Sequence, residues 1–147
     1  MRAEDIMKKI LFLCTGNSCR SQMAEGWARH LHGDKLEAYS AGINPHGIHP
    51  LTLQVMKEAG VDISAQSSKH IRVVKDIDFD YVITLCDSAR ESCPLFPGKI
   101  RILHYDFEDP AAAHGSDSEV ISAFRRVRDQ IRDFTGTLPA LLNIKKP

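Results

Sequence analysis

The sequence predicts an α/β fold: one doubly wound domain, built on a four-stranded parallel sheet with helices on both faces. Three observations carry this. Short apolar runs bounded by turn residues alternate with stretches of helical period, which is the pattern of parallel strands joined by crossover helices. The runs are apolar throughout rather than at every second residue, as strands buried on both faces are. The chain has 147 residues, the length of one domain, so residues 1–147 are read as a single unit.

Lys8-Lys9-Ile10-Leu11-Phe12-Leu13-Cys14 is the first strand. After Thr15-Gly16-Asn17-Ser18 the pattern becomes Met23, Ala24, Trp27, Ala28, Leu31, a helix running to Gly33 with Trp27 in the core. Leu36 to Ala41 is a second strand, ended by Gly42. His49-Pro50 opens a helix over Leu51, Val55, Met56 and Ala59, with proline at its first position and Gly60 as the stop. Ser67 to Val74 is expected to be another short helix. Tyr81 to Leu85 and Lys99 to His104 are the third and fourth strands. The last helix starts near Ser116, where Ser116 and Glu119 have capping-box spacing, and its stripe is Val120, Phe124, Val127, Ile131, Phe134. Arg125, Arg126, Arg128 and Arg132 are expected on its solvated face. Met7 is a plausible start, with the preceding residues an N-terminal extension.

Composition narrows the function classes. The chain is 43% hydrophobic and 26% charged, ordinary globular values that argue against disorder. Nineteen basic residues balance nineteen acidic ones, so no global field draws nucleic acid or an anionic membrane. The early apolar run is far shorter than the ~20 residues of a membrane span and lacks a signal-peptide cleavage site. A cytoplasmic protein with no membrane or nucleic-acid partner is expected, and a monomer. The seven histidines have no metal-ligand spacing on a helix face and are read as surface or capping residues.

Cys14, Cys19, Cys86 and Cys93 are the four cysteines. A chain this long does not need disulfide staples, so reactive or redox roles gain weight. Zinc is the other reading, but its sites favour closer cysteine pairs. Buried, inert thiols are the third.

The first strand-to-helix turn is Cys14-Thr15-Gly16-Asn17-Ser18-Cys19-Arg20-Ser21. In doubly wound folds ligands sit beyond the carboxyl ends of the strands, where this turn lies. A cysteine, five residues and an arginine are a weak motif alone, but here the cysteine ends a strand and the arginine opens a helix. The small residues between let successive N–H groups surround one tetrahedral oxyanion. Gly16 and Asn17 tolerate the positive φ such a loop needs. Arg20 can hold two oxygens with its fork. The same positive field favours the thiolate of Cys14, the nucleophilic form, and Ser18 or Ser21 is placed to donate to it.

This loop resembles the active-site loop of the low-molecular-weight protein tyrosine phosphatases and of the arsenate reductases that share their fold, in which C-x5-R-[ST] follows the first strand. The resemblance continues through Gln22-Met23-Ala24-Glu25-Gly26-Trp27 and Tyr39-Ser40-Ala41-Gly42 to Glu108-Asp109-Pro110. It implies a low-molecular-weight phosphatase-like fold with Thr15 to Ser21 as the oxyanion-binding loop. Two segments point to the reductase branch. Cys86 and Cys93, at the end of the third strand, look like the resolving pair of thioredoxin-coupled arsenate reductases; hydrolysis needs no further thiol, whereas reduction needs two electrons and an exported disulfide. Asp109 matches the family's general acid, and alanines follow Asp109-Pro110 where the phosphatases usually carry substrate-gripping aromatics.

The resemblance implies a sequence of steps. Cys14 attacks arsenate while Asp109 protonates the leaving oxygen. Cys86 then forms a transient Cys14–Cys86 disulfide as arsenite leaves, and Cys93 converts it to the redox-active Cys86–Cys93 bond, which thioredoxin reduces. Arsenate is the substrate, phosphate and sulfate its mimics, and no cofactor is implied. A phosphatase of the same fold, and a non-catalytic oxyanion or metalloid sensor, remain the alternatives. Some of these reductases hold potassium beside the loop with residues matching Asn17, Glu25, Ser40 and a carboxylate. Lys69 stands where that carboxylate would, so no metal is expected and the Lys69 ammonium is expected to pair with Glu25 and bond Asn17 or Ser40.

Overall fold

The computed structural model describes residues 7–94, 96 and 98–144; the expected N-terminal extension lies outside them except for Met7. Lys8–Cys14 forms β1, Arg20–His32 α1, Leu36–Gly42 β2, Pro50–Glu58 α2 and Tyr81–Thr84 β3. Asp87–Ser92 forms α3, Arg101–His104 β4, Asp117–Gly136 α4 and Leu138–Leu141 α5. The four strands are parallel, in the order β2-β1-β3-β4. The chain leaves β1 in one direction to make β2 and returns past it to make β3. Right-handed crossovers place α1 on one face and the β3–β4 connection on the other, while α2, within the β2–β3 connection, packs against α1 and α4. This is the doubly wound arrangement the sequence implies.

Hydrophobic burial explains the strand composition. Ile10, Leu11, Phe12 and Leu13 are wholly buried, as are Val82 and Ile83, because β1 and β3 are central and covered on both faces. The core face of α1, Met23, Ala24, Trp27 and Ala28, packs toward β1, β2 and α4. α4 returns Phe124, Val127 and Ile131 to the same layer. Its capping box is formed: Ser116 Oγ accepts the Glu119 N–H at 3.2 Å, and Glu119 Oε1 accepts the Ser116 N–H at 3.2 Å. α2 opens at Pro50, and Gly60 beyond its end has φ +84°. No helix among the described residues is long and apolar enough to cross a membrane.

Two expectations are corrected. Ser67 to Val74 is not one helix: only Ile71–Val74 forms a 3₁₀ turn, and Lys69–His70 runs extended beside the end of β2. The Lys69 carbonyl accepts the Gly42 N–H at 2.8 Å and the Lys69 N–H goes to Asn17 Oδ1 at 2.8 Å, so this backbone is committed across the chain and cannot bond within a helix. On α4, Arg125, Arg126 and Arg132 are exposed as expected, but Arg128 is only 14% exposed and donates to the Val55 carbonyl at 2.9 Å. It ties α4 to α2.

The register fixes the functional edge. Leu13 lies opposite Thr84, and Cys14 opposite Gly42. Cys14, Cys86 and the segment after β4 therefore emerge side by side at the carboxyl ends of the strands.

Candidate active site

The turn after β1 is held from outside through its carbonyls. Cys14 O accepts Ile43 N at 3.3 Å, Thr15 O accepts Asn44 N at 2.8 Å, and Gly16 O accepts His46 N at 2.9 Å. Asn17 O accepts Gln22 Nε2 at 3.1 Å, and Ser18 O accepts His49 N at 3.2 Å. A trans peptide points its N–H opposite to the preceding C=O, and no peptide here is cis. Five successive outward carbonyls thus turn the N–H groups of residues 15–19 the other way, toward a cavity of about 260 Å³. The arrangement is a nest of donors at the start of α1, suited to one tetrahedral oxyanion.

Two backbone features make this possible. Asn17 takes φ +46°, as its side chain allows; Gly16, contrary to expectation, stays outside that region. A Cβ at Gly16 would stand 2.7 Å from Cδ2 of the exposed His46 ring, which can swing aside. Gly42 is required: its Cβ would meet Thr15 O at 2.7 Å.

A buried polar chain positions the thiol. Ser21 Oγ, not that of Ser18, lies 2.8 Å from Cys14 Sγ. Asn17 Nδ2 donates to Ser21 Oγ at 2.8 Å and to Ser40 Oγ at 3.0 Å. Ser40 Oγ donates to Glu25 Oε1 at 2.6 Å, and the other Glu25 oxygen pairs with Arg29 at 3.1 Å. Asn17, Ser21, Ser40 and Glu25 are all buried. With the Asn17 amide donating twice, the Ser21 proton is left for the sulfur.

Lys69 braces the same chain, with the expected bond from its ammonium to a Ser40 oxygen but without the expected Glu25 pair. Its Nζ donates to the backbone carbonyls of Ser40 at 3.0 Å and Ser67 at 2.7 Å, and its own N–H, not the ammonium, reaches Asn17 Oδ1. No direct ion pair with Glu25 forms, though the carboxylate is close enough to act on the ammonium. Burial pushes the Lys69 pKa down and Glu25 opposes the shift.

Arg20 is aimed from β4's loop. Its Nη1 donates to the Phe107 carbonyl at 3.1 Å, and Nη2 stands 3.9 Å from Asp109 Oδ2. Its Nε is buried without a partner among the described residues, as a donor reserved for an anion would be. Asp109 also starts the Pro110–Ala112 turn, its Oδ1 accepting the Ala111 N–H at 3.0 Å. The Asx turn thus points the second oxygen toward Arg20, and Asp109 lines the cavity with Cys14.

All four cysteines are free thiols. Cys86 Sγ sits 3.3 Å from Thr15 Oγ1, against the loop. Cys86 caps the start of α3 and Cys93 its end. Cys14 and Cys86 are buried, and Cys93 is half-buried. Burial pushes the Cys19 and Cys93 thiols up.

The family comparison agrees with this geometry. The model of the low molecular weight phosphotyrosine protein phosphatase family matches residues 9–146. The chain belongs to that family. Within the phosphatase family it is 51% identical over 124 residues to the arsenate reductase of Halalkalibacterium halodurans, covering 84% of this chain and 89% of that protein. A solved arsenate reductase in its phosphate-binding state superposes with TM-score 0.74 at 35% identity, covering 92% of this chain and 98% of that one. The low molecular weight protein tyrosine phosphatase of T. tengcongensis gives TM-score 0.75 at 26% identity, covering 91% and 99%.

Several site residues of this family member went unread in the sequence. Gln22 Nε2 bridges the carbonyls of Asn17 and Ser67, and Gln66 holds Gln22. Ser68 Oγ reaches Gly16 O at 3.4 Å. For Gln22 the available signal was a polar residue inside the apolar pattern of α1; Gln66 and Ser68, half-buried after α2, gave none. His46 and His49 were read as surface or capping residues; His49 does cap α2, but both also line the cavity.

Proposed function

We propose that this chain reduces arsenate to arsenite, with Cys14 as nucleophile and a three-cysteine relay that thioredoxin recycles. The single observation carrying the relay is the contact between Cys86 and Thr15: a second thiol lies against the loop of the first, where hydrolysis has no use for it.

Arsenate enters the nest of N–H groups and Arg20 holds two of its oxygens. The Ser21 hydroxyl stabilises the Cys14 thiolate, which attacks arsenic. Asp109 gives its proton to the departing oxygen, which leaves as water. Cys86 then attacks the Cys14 sulfur; the S–As bond breaks, its electron pair stays on arsenic, and arsenite is released as As(III). Cys93 next attacks Cys86, returning Cys14 as thiolate and leaving a Cys86–Cys93 disulfide. The dithiol of thioredoxin takes over that disulfide.

The last exchange demands movement. Seven residue steps at the helical rise separate the Cα atoms of Cys86 and Cys93 by roughly 10 Å, whereas a disulfide needs them within ~7 Å. α3 must unwind. Its own ion pair is weak: Asp87 pairs with Arg90 at 3.2 Å at an exposed surface, and Asp87 also stands 3.3 Å from Nε2 of the half-buried His104. A six-residue helix is marginal in any case.

A single-turnover experiment without reductant tests the proposal. The reduced protein mixed with arsenate is expected to yield one arsenite per chain and to lose two titratable thiols. Phosphate-ester hydrolysis alone, with all thiols retained, supports the phosphatase reading. Stoichiometric arsenite binding without turnover supports the sensor.

Two further outcomes are predicted. Because the Lys69 ammonium already neutralises the ground between Glu25 and the Ser40 carbonyl, potassium and sodium chloride at equal ionic strength should give equal activity and melting temperature. Lys69→Asp should lower the melting temperature and make both quantities potassium-dependent; a potassium-specific stabilisation of the unaltered chain contradicts this. Second, burial raises the Cys93 and Cys19 thiols. Their alkylation by iodoacetamide in the reduced protein should be slow at neutral pH and still rising beyond the ordinary thiol value of about 8.5. Labelling of either that levels off below that value contradicts it.

A further inference from the structure

We infer that His49 is a substrate-binding residue that presents its ring Nε2–H to the oxyanion held in the 14–20 loop. This rests on the oxyanion-binding reading of that loop and assigns it one further ligand group.

His49 lines the cavity with Cys14, Ser18, Arg20 and Asp109. Its position is fixed three ways. The backbone N–H donates to Ser18 O at 3.2 Å, tying the residue to the loop itself. The ring packs on Phe124 with centroids 4.8 Å apart. Nδ1 accepts the Leu51 N–H at 3.0 Å, capping α2.

That cap fixes the tautomer. A ring nitrogen that accepts an N–H carries no proton, so in the neutral imidazole the proton is on Nε2. Among the described residues nothing bonds Nε2. One edge of the ring is therefore spent on the helix and the other is a donor, on a residue in the wall of the anion cavity. Arg20 supplies charge there; His49 adds a directed hydrogen bond.

The two roles separate by substitution. His49→Asn retains an acceptor at the Nδ1 position, and asparagine is a strong N-cap, but no donor remains at Nε2. His49→Gln places an amide N–H near the Nε2 position and gives up the cap. The probe is inorganic phosphate, its Kd measured by calorimetry on the reduced protein and by protection of Cys14 from iodoacetamide; melting temperature is recorded alongside. His49→Asn should weaken phosphate about tenfold, the worth of one hydrogen bond to an anion, with little change in melting temperature. His49→Gln should recover the affinity to within about threefold while melting about 2–4 °C lower, as loss of a cap does in a chain of this size. Unchanged phosphate affinity in His49→Asn, or equal losses in the two variants, overturns the assignment while leaving the loop reading intact. An unaltered protein that binds no phosphate overturns the loop reading and the assignment together.

Discussion

Cys14→Ser abolishes both arsenate reduction and hydrolysis of p-nitrophenyl phosphate, whereas Cys86→Ser and Cys93→Ser abolish only the first. The losses should be on the order of 10³-fold or more, because a hydroxyl is a far weaker nucleophile than a thiolate and no other group near the nest replaces it. In the proposed relay Cys86 and Cys93 act only after the first bond has formed. Their variants keep the whole loop, the Ser21 and Asn17 bonds, and Asp109, so slow ester hydrolysis survives. Cys19→Ser should keep most activity, since Cys19 has no step in the relay and burial keeps its thiol protonated. Steady arsenate turnover by the Cys86→Ser, Cys93→Ser double variant contradicts the relay.

Arg20→Lys should lower kcat/KM for arsenate by about 10²-fold or more, the usual cost of removing one preorganised oxyanion donor. The substitution keeps the charge but discards the fork. A lysine ammonium cannot bond Phe107 O, stand beside Asp109 and still offer two parallel donors to the anion. Phosphate protection of Cys14 should fall with it, which separates lost binding from a misplaced general acid. Activity within about threefold of the unaltered chain contradicts the assignment.

The fold was legible because its signals are local. β1 is a run of buried aliphatics, α4 announces itself through Ser116 and Glu119, and Pro50 and Gly60 bracket α2. The Ser67–His70 stretch was not, because what sets it is distant: Gly42 and Asn17 claim the Lys69 backbone, and local propensity carries no record of that. The same division runs through the site. The loop from Cys14 to Ser21 could be read directly, since strand end, small residues and helix start are contiguous. Its outer supports could not. Gln22 on α1 and Gln66 and Ser68 from the stretch after α2 converge from two segments, and only the folded chain shows that Gln22 and Ser68 grip the carbonyls of Gly16, Asn17 and Ser67 while Gln66 holds Gln22. His49 was half legible: its place before Pro50 marked a cap, but nothing in the sequence said that the residue also lines the cavity beside Cys14. Lys69 is identifiable by position, and its ammonium bonds a Ser40 oxygen as expected, but the Glu25 pair does not form and Asn17 is reached by the backbone N–H instead.

Coupled turnover tests the central claim most directly. The reduced chain, thioredoxin, thioredoxin reductase and NADPH are mixed, and absorbance at the NADPH band is followed on adding arsenate. Arsenate-dependent NADPH consumption, one per arsenite formed and absent in the Cys14, Cys86 and Cys93 serine variants, is the predicted result. No NADPH consumption with arsenate, alongside steady release of phosphate from p-nitrophenyl phosphate, contradicts it and leaves a phosphatase.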